Sequence, residues 1–409
     1  MKLWIKYLLG ALLGIAAALI LPASSDVVQS TAAYLNELAI RFGRYTLLPL
    51  LFFSVSYALY KLRSRKMIAK TALWTISVIV ISSLVLTILG LLSILIVKLP
   101  RIPISSEKMS EVATVSIKDL LLQLLPFSSF TALHDGAYLL PAFVFAGLAG
   151  AGCASDESAS KPVITFIESA AKLCYSIMSF FLEFMAVAMI AVGCYWTFSI
   201  RAVFVVKTFV PLTIMLLVDF VIVAGIIYPL VLYLLCKDRR PYRVLYASIC
   251  PLLTAFFSGD ANLSLLVNLK HGRDSLGIHR RINGLTFPLF SIFARGGTAL
   301  VTSICFVMIL RSYSSLGFSF NDVLWIFVMT FALSFIMCAF PSGGAFIALT
   351  VLCTAYSRGF EAGYLLLRPA IPVFCSFAAA FDALTAMFGS YIIAVKTRTI
   401  EHIAVRHYV

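Results

Sequence analysis

Two short stretches, Ala255-Phe256-Phe257-Ser258-Gly259-Asp260-Ala261 and Ala339-Phe340-Pro341-Ser342-Gly343-Gly344-Ala345, decide how this chain is read. Both follow the pattern Ala-Phe-x-Ser-Gly-x-Ala, and both interrupt an apolar run, at 242–271 and 321–364. Each half of these runs has about 14–20 residues, short for a helix that must cross a hydrocarbon layer about 30 Å thick. Halves of that length suit a re-entrant hairpin that enters and leaves on one side. Gly/Pro-interrupted apolar segments in corresponding positions point to a transporter's binding site. Unwound backbone is tolerated at membrane depth only where protein or a water-filled cavity satisfies it. The plainer reading is a pair of ordinary helices kinked by glycine and proline.

Working outward, the rest of the chain is as apolar as these segments. Of 409 residues, 61% are hydrophobic and 12% charged, and the mean hydropathy is +1.01. A soluble domain of this size cannot hide that much apolar surface, so the main solvent is lipid. Long unbroken runs, such as 71–97 and 203–236, exclude the alternating segments of about ten residues that membrane strands show. The expected fold class is therefore an all-α polytopic membrane protein.

Spans are expected at 4–21, 38–62, 71–97, 162–200 and 203–236, with full-length spans at 278–311 and 366–395 flanking the second hairpin. A polar segment rich in Ser and Pro covers 98–119. The region 120–152 is interrupted at Pro126 and at His134-Asp135-Gly136, which predicts several short helices. Residues 8–22 behind Lys2 and Lys6 have the outline of a signal peptide. Further spans follow directly, so this run is read as a first span.

The formal charge is +14. The basic residues gather in short connections: Lys61, Arg63, Arg65, Lys66 and Lys70; Lys237, Arg239, Arg240 and Arg243; Lys270, Arg273, Arg280 and Arg281; and Lys396, Arg398 and Arg406. By the positive-inside rule these places and both termini are cytoplasmic, in a multi-pass protein of the inner membrane. Nucleic acid is not an expected partner. The nine cysteines lie mostly in apolar runs without metal-ligand spacing, and no nucleophile–base constellation is visible. No cofactor, metal site or enzyme activity is expected.

The order of elements resembles the dicarboxylate/amino acid:cation symporter family, which includes the glutamate transporters. The likeness rests on several quoted matches in order. They are Leu124-Leu125-Pro126-Phe127 through Leu140-Pro141-Ala142-Phe143, Thr254-Ala255-Phe256 and Thr286-Phe287-Pro288-Leu289. Gly297-Thr298-Ala299-Leu300, Pro341 with Gly343-Gly344-Ala345, and Ala394-Val395-Lys396-Thr397 continue the series. The resemblance implies eight transmembrane helices plus two re-entrant hairpins in inverted repeats, assembled as a homotrimer. It divides the chain into scaffold spans (1–240), a transport core (241–398) and a cytoplasmic tail (399–409). Within the core the first hairpin is 241–275, the seventh span 277–312, the second hairpin 320–364 and the eighth span 366–398.

The departures from the family are equally specific. Its seventh span carries Asn-Met-Asp-Gly-Thr, where this chain reads Ala294-Arg295-Gly296-Gly297-Thr298. In its eighth span the Asp, Arg, Asn and Asp that anchor substrate and sodium correspond to Ser376, Ala379, Ala383 and Met387. Only Ser82, Ser83 and Thr298 keep a polar atom where the family uses one for a cation.

Charges deep in a membrane cost about 2.5–3.5 kcal/mol each on insertion scales, so each needs a partner or a task. Arg295, Asp382, Asp260, Asp219 and Glu183 are the deep candidates. Arg295 and Asp382 each precede a Thr-Ala pair by three residues, which predicts corresponding positions in the two core spans. Arg295 is expected to be balanced by Asp382 or Asp260. It would act as a built-in cation, as an anchor for an anionic group, or as half of a purely structural bridge. The expected substrate-binding set is Ser258, Asp260, Asn262, Arg295, Thr298, Ser342, Gly343, Gly344, Ser376 and Asp382.

The expected function is secondary transport of a small organic solute by alternating access, with H+ or Na+ as possible coupling ion. The alternatives are sodium- or proton-coupled symport of glutamate or a C4-dicarboxylate, and a non-transporting membrane receptor on the same fold.

Overall fold

The structure is a computed structural model that describes residues 1–22, 25–102, 128, 133–134, 138–205, 207–238, 240–313, 319–337, 344–356, 362–401 and 403–408. Among these residues the chain is helical throughout, with no strand and one isolated antiparallel bridge between Ile278 and Ile400.

The first half runs α1 (Leu3–Ile20), α2 (Asp26–Arg44), α3 (Leu47–Ser64), α4 (Ile68–Ile96), α5 (Leu139–Cys153) and α6 (Lys161–Val205). Next come α7 (Val210–Ile222), a π-helical turn (Val223–Ile227) and α8 (Tyr228–Cys236). The second half is α9 (Tyr242–Ser258), α10 (Ala261–Asp274), α11 (Arg280–Phe293), α12 (Gly296–Tyr313), α13 (Phe320–Ile336) and α14 (Gly344–Tyr356). A 3₁₀ segment (Gly363–Ala370) leads into α15 (Ile371–Lys396).

Among the described residues seven helical stretches, some of them internally broken, are long and apolar enough to cross a membrane. Their burial separates them into two kinds. In the five from the first half, 33–39% of the most apolar window is buried, against 89% for Arg280–Tyr313 and 83% for Gly363–Lys396. The first-half helices therefore turn wide apolar faces outward, while α11, α12 and α15 form the interior. Helix α15 packs on α9, α10, α11 and α12, so it is the axis about which the second half is assembled.

Several spans begin, end or break elsewhere than expected, each for a local reason. The second span starts at Asp26 and breaks at Tyr45-Thr46, because Pro49 has no N–H for the Tyr45 carbonyl and its ring crowds that group. Helix α6, expected to end at residue 200, runs on to Val205 and takes in Val203, and the next span begins with a 3₁₀ turn at Lys207–Phe209. The π turn at 223–227 lies directly ahead of Pro229, which likewise cannot donate into the ladder. The stretch expected as one span at 278–311 is two helices separated at Ala294-Arg295. The last span begins at Ile371 after the 3₁₀ segment. Pro126, Asp135 and Gly136 lie outside the described residues, as do Pro341, Ser342 and Gly343.

Packing of α1 against α6 shows how closely the helices approach. Gly10 and Gly14 are one turn apart on α1, a small-xxx-small pattern that lets membrane helices meet backbone to backbone. A Cβ on Gly10 would lie 2.3 Å from the Ala186 carbonyl oxygen, and one on Gly14 would lie 2.2 Å from that of Ile190. Gly193 of α6 returns the contact, 2.7 Å from the Ala11 oxygen. A Gly14→Leu substitution is expected to cost about 1–3 kcal/mol by overpacking. Leu13→Ala, at a position 58% exposed, should stay within about 0.5 kcal/mol. Thermal unfolding of the purified protein in detergent measures both, and equal effects would contradict the close contact.

Candidate functional site

The break between α11 and α12 is where the chemistry gathers. Gly296 and Gly297 are poor helix formers, each about 1 kcal/mol worse than alanine, so the ladder is weakest here. The amides released by the break are taken up by a different helix. On α15, Asp382 Oδ1 accepts from the Gly297 N–H at 2.8 Å and from the Thr298 N–H at 3.4 Å. Its Oδ2 accepts from Thr298 Oγ1 at 2.9 Å. Asp382 thus caps α12 from outside, and a carboxylate at a helix N-terminus also meets the positive end of the helix dipole. The approach needs glycine: a Cβ on Gly297 would lie 2.8 Å from the Ala378 oxygen and 2.3 Å from Phe381 Cβ.

Arg295 stands at the break itself. Its Nη1 lies 3.8 Å from Asp382 Oδ2, and its Nη2 donates to Asn262 Oδ1 at 3.2 Å. Charge-assisted hydrogen bonds run about 2.7–2.9 Å, so the Arg295–Asp382 contact is an ion pair without close hydrogen bonding. Arg295 Nε is buried with no partner among the described residues. Asn262 Oδ1 also accepts from Ser291 Oγ at 3.4 Å.

The first helical break supplies Asn262. Helix α9 ends at Ser258, Gly259 takes the left-handed conformation (φ 63°), and Asp260 becomes the N-cap of α10 by accepting from the Asn262 N–H at 2.9 Å. Gly259 is needed there because a side chain at that φ is strained. The second Asp260 oxygen lies 2.6 Å from Arg44 Nη2 at the end of α2. Arg295 is therefore balanced by Asp382, while Asp260 belongs to Arg44.

The cavity enclosed by these groups is small, about 10 Å³. Gly259 and Ala261 line it from the first break, Gly344 and Ala345 from the start of α14, with Arg295 and Asp382 between them. A space of that size holds at most one water molecule. A larger cavity of about 280 Å³ adjoins it toward α2 and α6, sharing Gly259 and Cys375 as walls. Ser258, Asp260 and Ser376 line this larger space, and Ser376 Oγ accepts from the Trp196 indole N–H at 3.1 Å.

The sequence-selected residues thus fall into groups. Asn262, Arg295, Thr298 and Asp382 form one polar cluster, with Gly344 at its edge and Asp260 capping the strand of backbone that carries Asn262. Ser258 and Ser376 face the neighbouring cavity, and Ser258 Oγ donates to the Thr254 carbonyl of its own helix at 2.6 Å. Ser342 and Gly343 lie outside the described residues. Ser83 is buried against Gly296 with no partner for its hydroxyl among the described residues, whereas Ser82 bonds back to Ile79 of its own helix at 3.0 Å.

Of the other deep charges, Asp219 accepts from Ser93 Oγ at 2.6 Å, and Glu183 meets both Lys6 and Lys270, the latter at 3.7 Å. The expected correspondence of Arg295 and Asp382 does not extend to the backbone. Arg295 sits at a break, while Asp382 lies within the continuous α15, where Ala383-Leu384 stand in place of Gly296-Gly297.

Sequence reasoning passed over Arg44, Ser291 and Trp196. Arg44 carried a usable signal, a cation inside the expected second span with no acidic residue nearby in sequence. Nothing marked Trp196 or Ser291.

Among the described residues no group of three or more His, Cys, Asp and Glu side chains is gathered as metal ligands would be. Compared with known families, the chain matches the sodium:dicarboxylate symporter family over residues 3–397. The chain belongs to that family. Its members are secondary membrane transporters, not enzymes, and the seven apolar stretches agree with a multi-pass membrane protein. Among individual proteins, a 132-residue stretch is 26% identical to the neutral amino acid transporter B(0) of Rattus norvegicus. A 127-residue stretch is 26% identical to that of Homo sapiens. The stretches cover 32% and 31% of this chain, and 23% of each relative.

The capping geometry makes an asymmetric prediction about the Arg295–Asp382 pair. Asp382→Ala strands a buried guanidinium and two helix amides, so it should cost about 3–5 kcal/mol. Arg295→Met leaves Asp382 with its three donors from α12 and should cost about 1–2 kcal/mol. Thermal unfolding of the two variants separates them, and equal losses would refute the capping role.

Proposed function

We propose that this protein moves a small anionic organic solute across the inner membrane by alternating access, with Arg295 as the fixed positive charge of its binding site. The observation that carries this reading is the state of that guanidinium. Asp382 is satisfied by the N-terminus of α12, so Arg295 is not needed to neutralise it through hydrogen bonds. Among the described residues Arg295 keeps a buried unpartnered Nε and a single hydrogen bond, to Asn262. An arginine with spare donors can take a carboxylate in a two-pronged contact. Opening of the small cavity between the two helical breaks would admit such a group. In the wider family the resemblance implies that bound sodium prepares the site. Here a covalently attached cation would do this, and coupling to sodium would be unnecessary.

The architecture that goes with this reading is a scaffold of residues 1–240 and a moving core of residues 241–398. The motifs at 255–261 and 339–345 would be the tips of re-entrant hairpins, within eight transmembrane helices and inverted repeats. Homotrimeric assembly is proposed from the family likeness. Cytoplasmic termini are proposed from the clustering of Lys and Arg in short connections.

Uptake into proteoliposomes tests the proposal. Labelled L-aspartate, succinate and neutral amino acids are offered with and without an inward sodium gradient. The expected result is uptake of at least one anionic solute, changed less than twofold by the gradient and reduced at least tenfold by Arg295→Met. Sodium-driven accumulation would favour conventional symport and overturn the fixed-cation reading. No flux of any solute would favour a receptor on the same fold. Thermal-shift measurements give a parallel readout: stabilisation by the solute should be present in the parent and absent in Arg295→Met.

A further inference from the structure

We infer that Arg44 is a positioning residue for the solute site, acting from the first half of the chain through the tip formed by Ser258-Gly259-Asp260. The inference deepens the transporter reading above and rests on it for its functional meaning. A continuous polar path joins Arg44 to the site. Arg44 Nη2 lies 2.6 Å from Asp260 Oδ2. Asp260 accepts from the Asn262 N–H at 2.9 Å, Asn262 Oδ1 accepts from Arg295 at 3.2 Å, and Arg295 stands 3.8 Å from Asp382. Two cations and two carboxylates alternate along this path, so each carboxylate has one cation of its own.

The surroundings show what this pair adds to the packing of the tip. The side of the tip that faces α2 and α6 borders the cavity of about 280 Å³, lined on the far side by Asn36, Ile40 and Trp196. Phe256 and Phe257, ahead of the tip, pack on Trp196 of α6 with ring centroids 5.3 and 5.1 Å apart. Close contact with α2 begins one turn along α10, where Leu263 lies over Gly43. A Cβ on Gly43 would be 2.4 Å from Leu263 Cδ1. The missing side chain at Gly43 thus lets α10 come near enough for its neighbour Arg44 to reach Asp260. The Asp260 side chain is 2% exposed and that of Arg44 18%. A carboxylate so buried holds its place only while a cation faces it. Loss of Arg44 frees the tip to move into the adjacent cavity. Asn262 would then leave Arg295, and the wall between the two cavities would open. The seating of the second half on α2 is in this way registered at the guanidinium that meets the solute.

Cys375 reports on that wall, because it lines both cavities, is 9% exposed and lies beneath Gly259. The test measures labelling of full-length protein that keeps Cys375 as its one cysteine, using a hydrophilic maleimide in detergent and no added solute. Arg44→Gln should speed labelling about tenfold, the change in opening expected when a buried partner is removed. Arg44→Lys, which keeps a cation, should stay within about twofold of the parent. Asp260→Asn keeps the capping oxygen and drops the charge, so it should match Arg44→Gln, and the double variant should add nothing further. If Arg44→Gln does not fold, Asp260→Asn alone decides the question. Parental labelling in the folded charge-removing variants would overturn the inference, as would equal acceleration by Arg44→Lys and Arg44→Gln. Because no solute enters the measurement, a protein that transports nothing still answers it.

Discussion

The second half of this protein is organised around one carboxylate, Asp382. The chain breaks its own helix at Ala294-Arg295 and leaves amides of α12 without carbonyl partners. Backbone groups left unsatisfied in a membrane protein's interior cost several kcal/mol each. Asp382 meets two of these amides and the Thr298 hydroxyl from α15. The break, the close approach at Gly297 and the location of Arg295 all follow from that capture. The carboxylate is itself charged and 4% exposed, so it too needs opposite charge. The helix dipole of α12 supplies part of it and Arg295 the rest.

Division of labour between the two carboxylates then gives the site its character. Asp382 is held by backbone donors and leaves Arg295 loosely held. Asp260 is held by Arg44 and spends its other oxygen on capping α10. An isolated arginine would be too costly at this depth, and one locked in a bidentate bridge would have no donors to offer. The observed arrangement lies between these extremes, and for that reason it supports solute binding better than a purely structural bridge does.

Much of this was legible from residue order alone. The interruption expected at Ser258-Gly259-Asp260 is there, and the structure makes it a helix end followed by a new N-cap. Four of the polar residues expected at the site, Asn262, Arg295, Thr298 and Asp382, do converge. The break within the 278–311 stretch was not expected, although Gly296-Gly297 was in plain view. Two glycines weaken a helix by about 1 kcal/mol each, which does not by itself open one. The opening needs a competing acceptor, and that acceptor is carried by a helix much later in the chain.

The sequence by itself determined that this is a helical membrane protein of the sodium:dicarboxylate symporter frame, with a helix broken at Ser258-Gly259. These are matters of segment length, apolar content and local turn chemistry, all properties of neighbouring residues. Only the tertiary structure decided which arginine each aspartate meets. Asp260 and Asp382 were equally plausible partners for Arg295, since a charge pattern specifies how many pairs can form but not which ones. Packing made the choice: Gly43 brings α10 within reach of Arg44, and Gly297 brings α12 within reach of Asp382. The polar path from α2 to Arg295 and Asp382 exists because of those two close approaches.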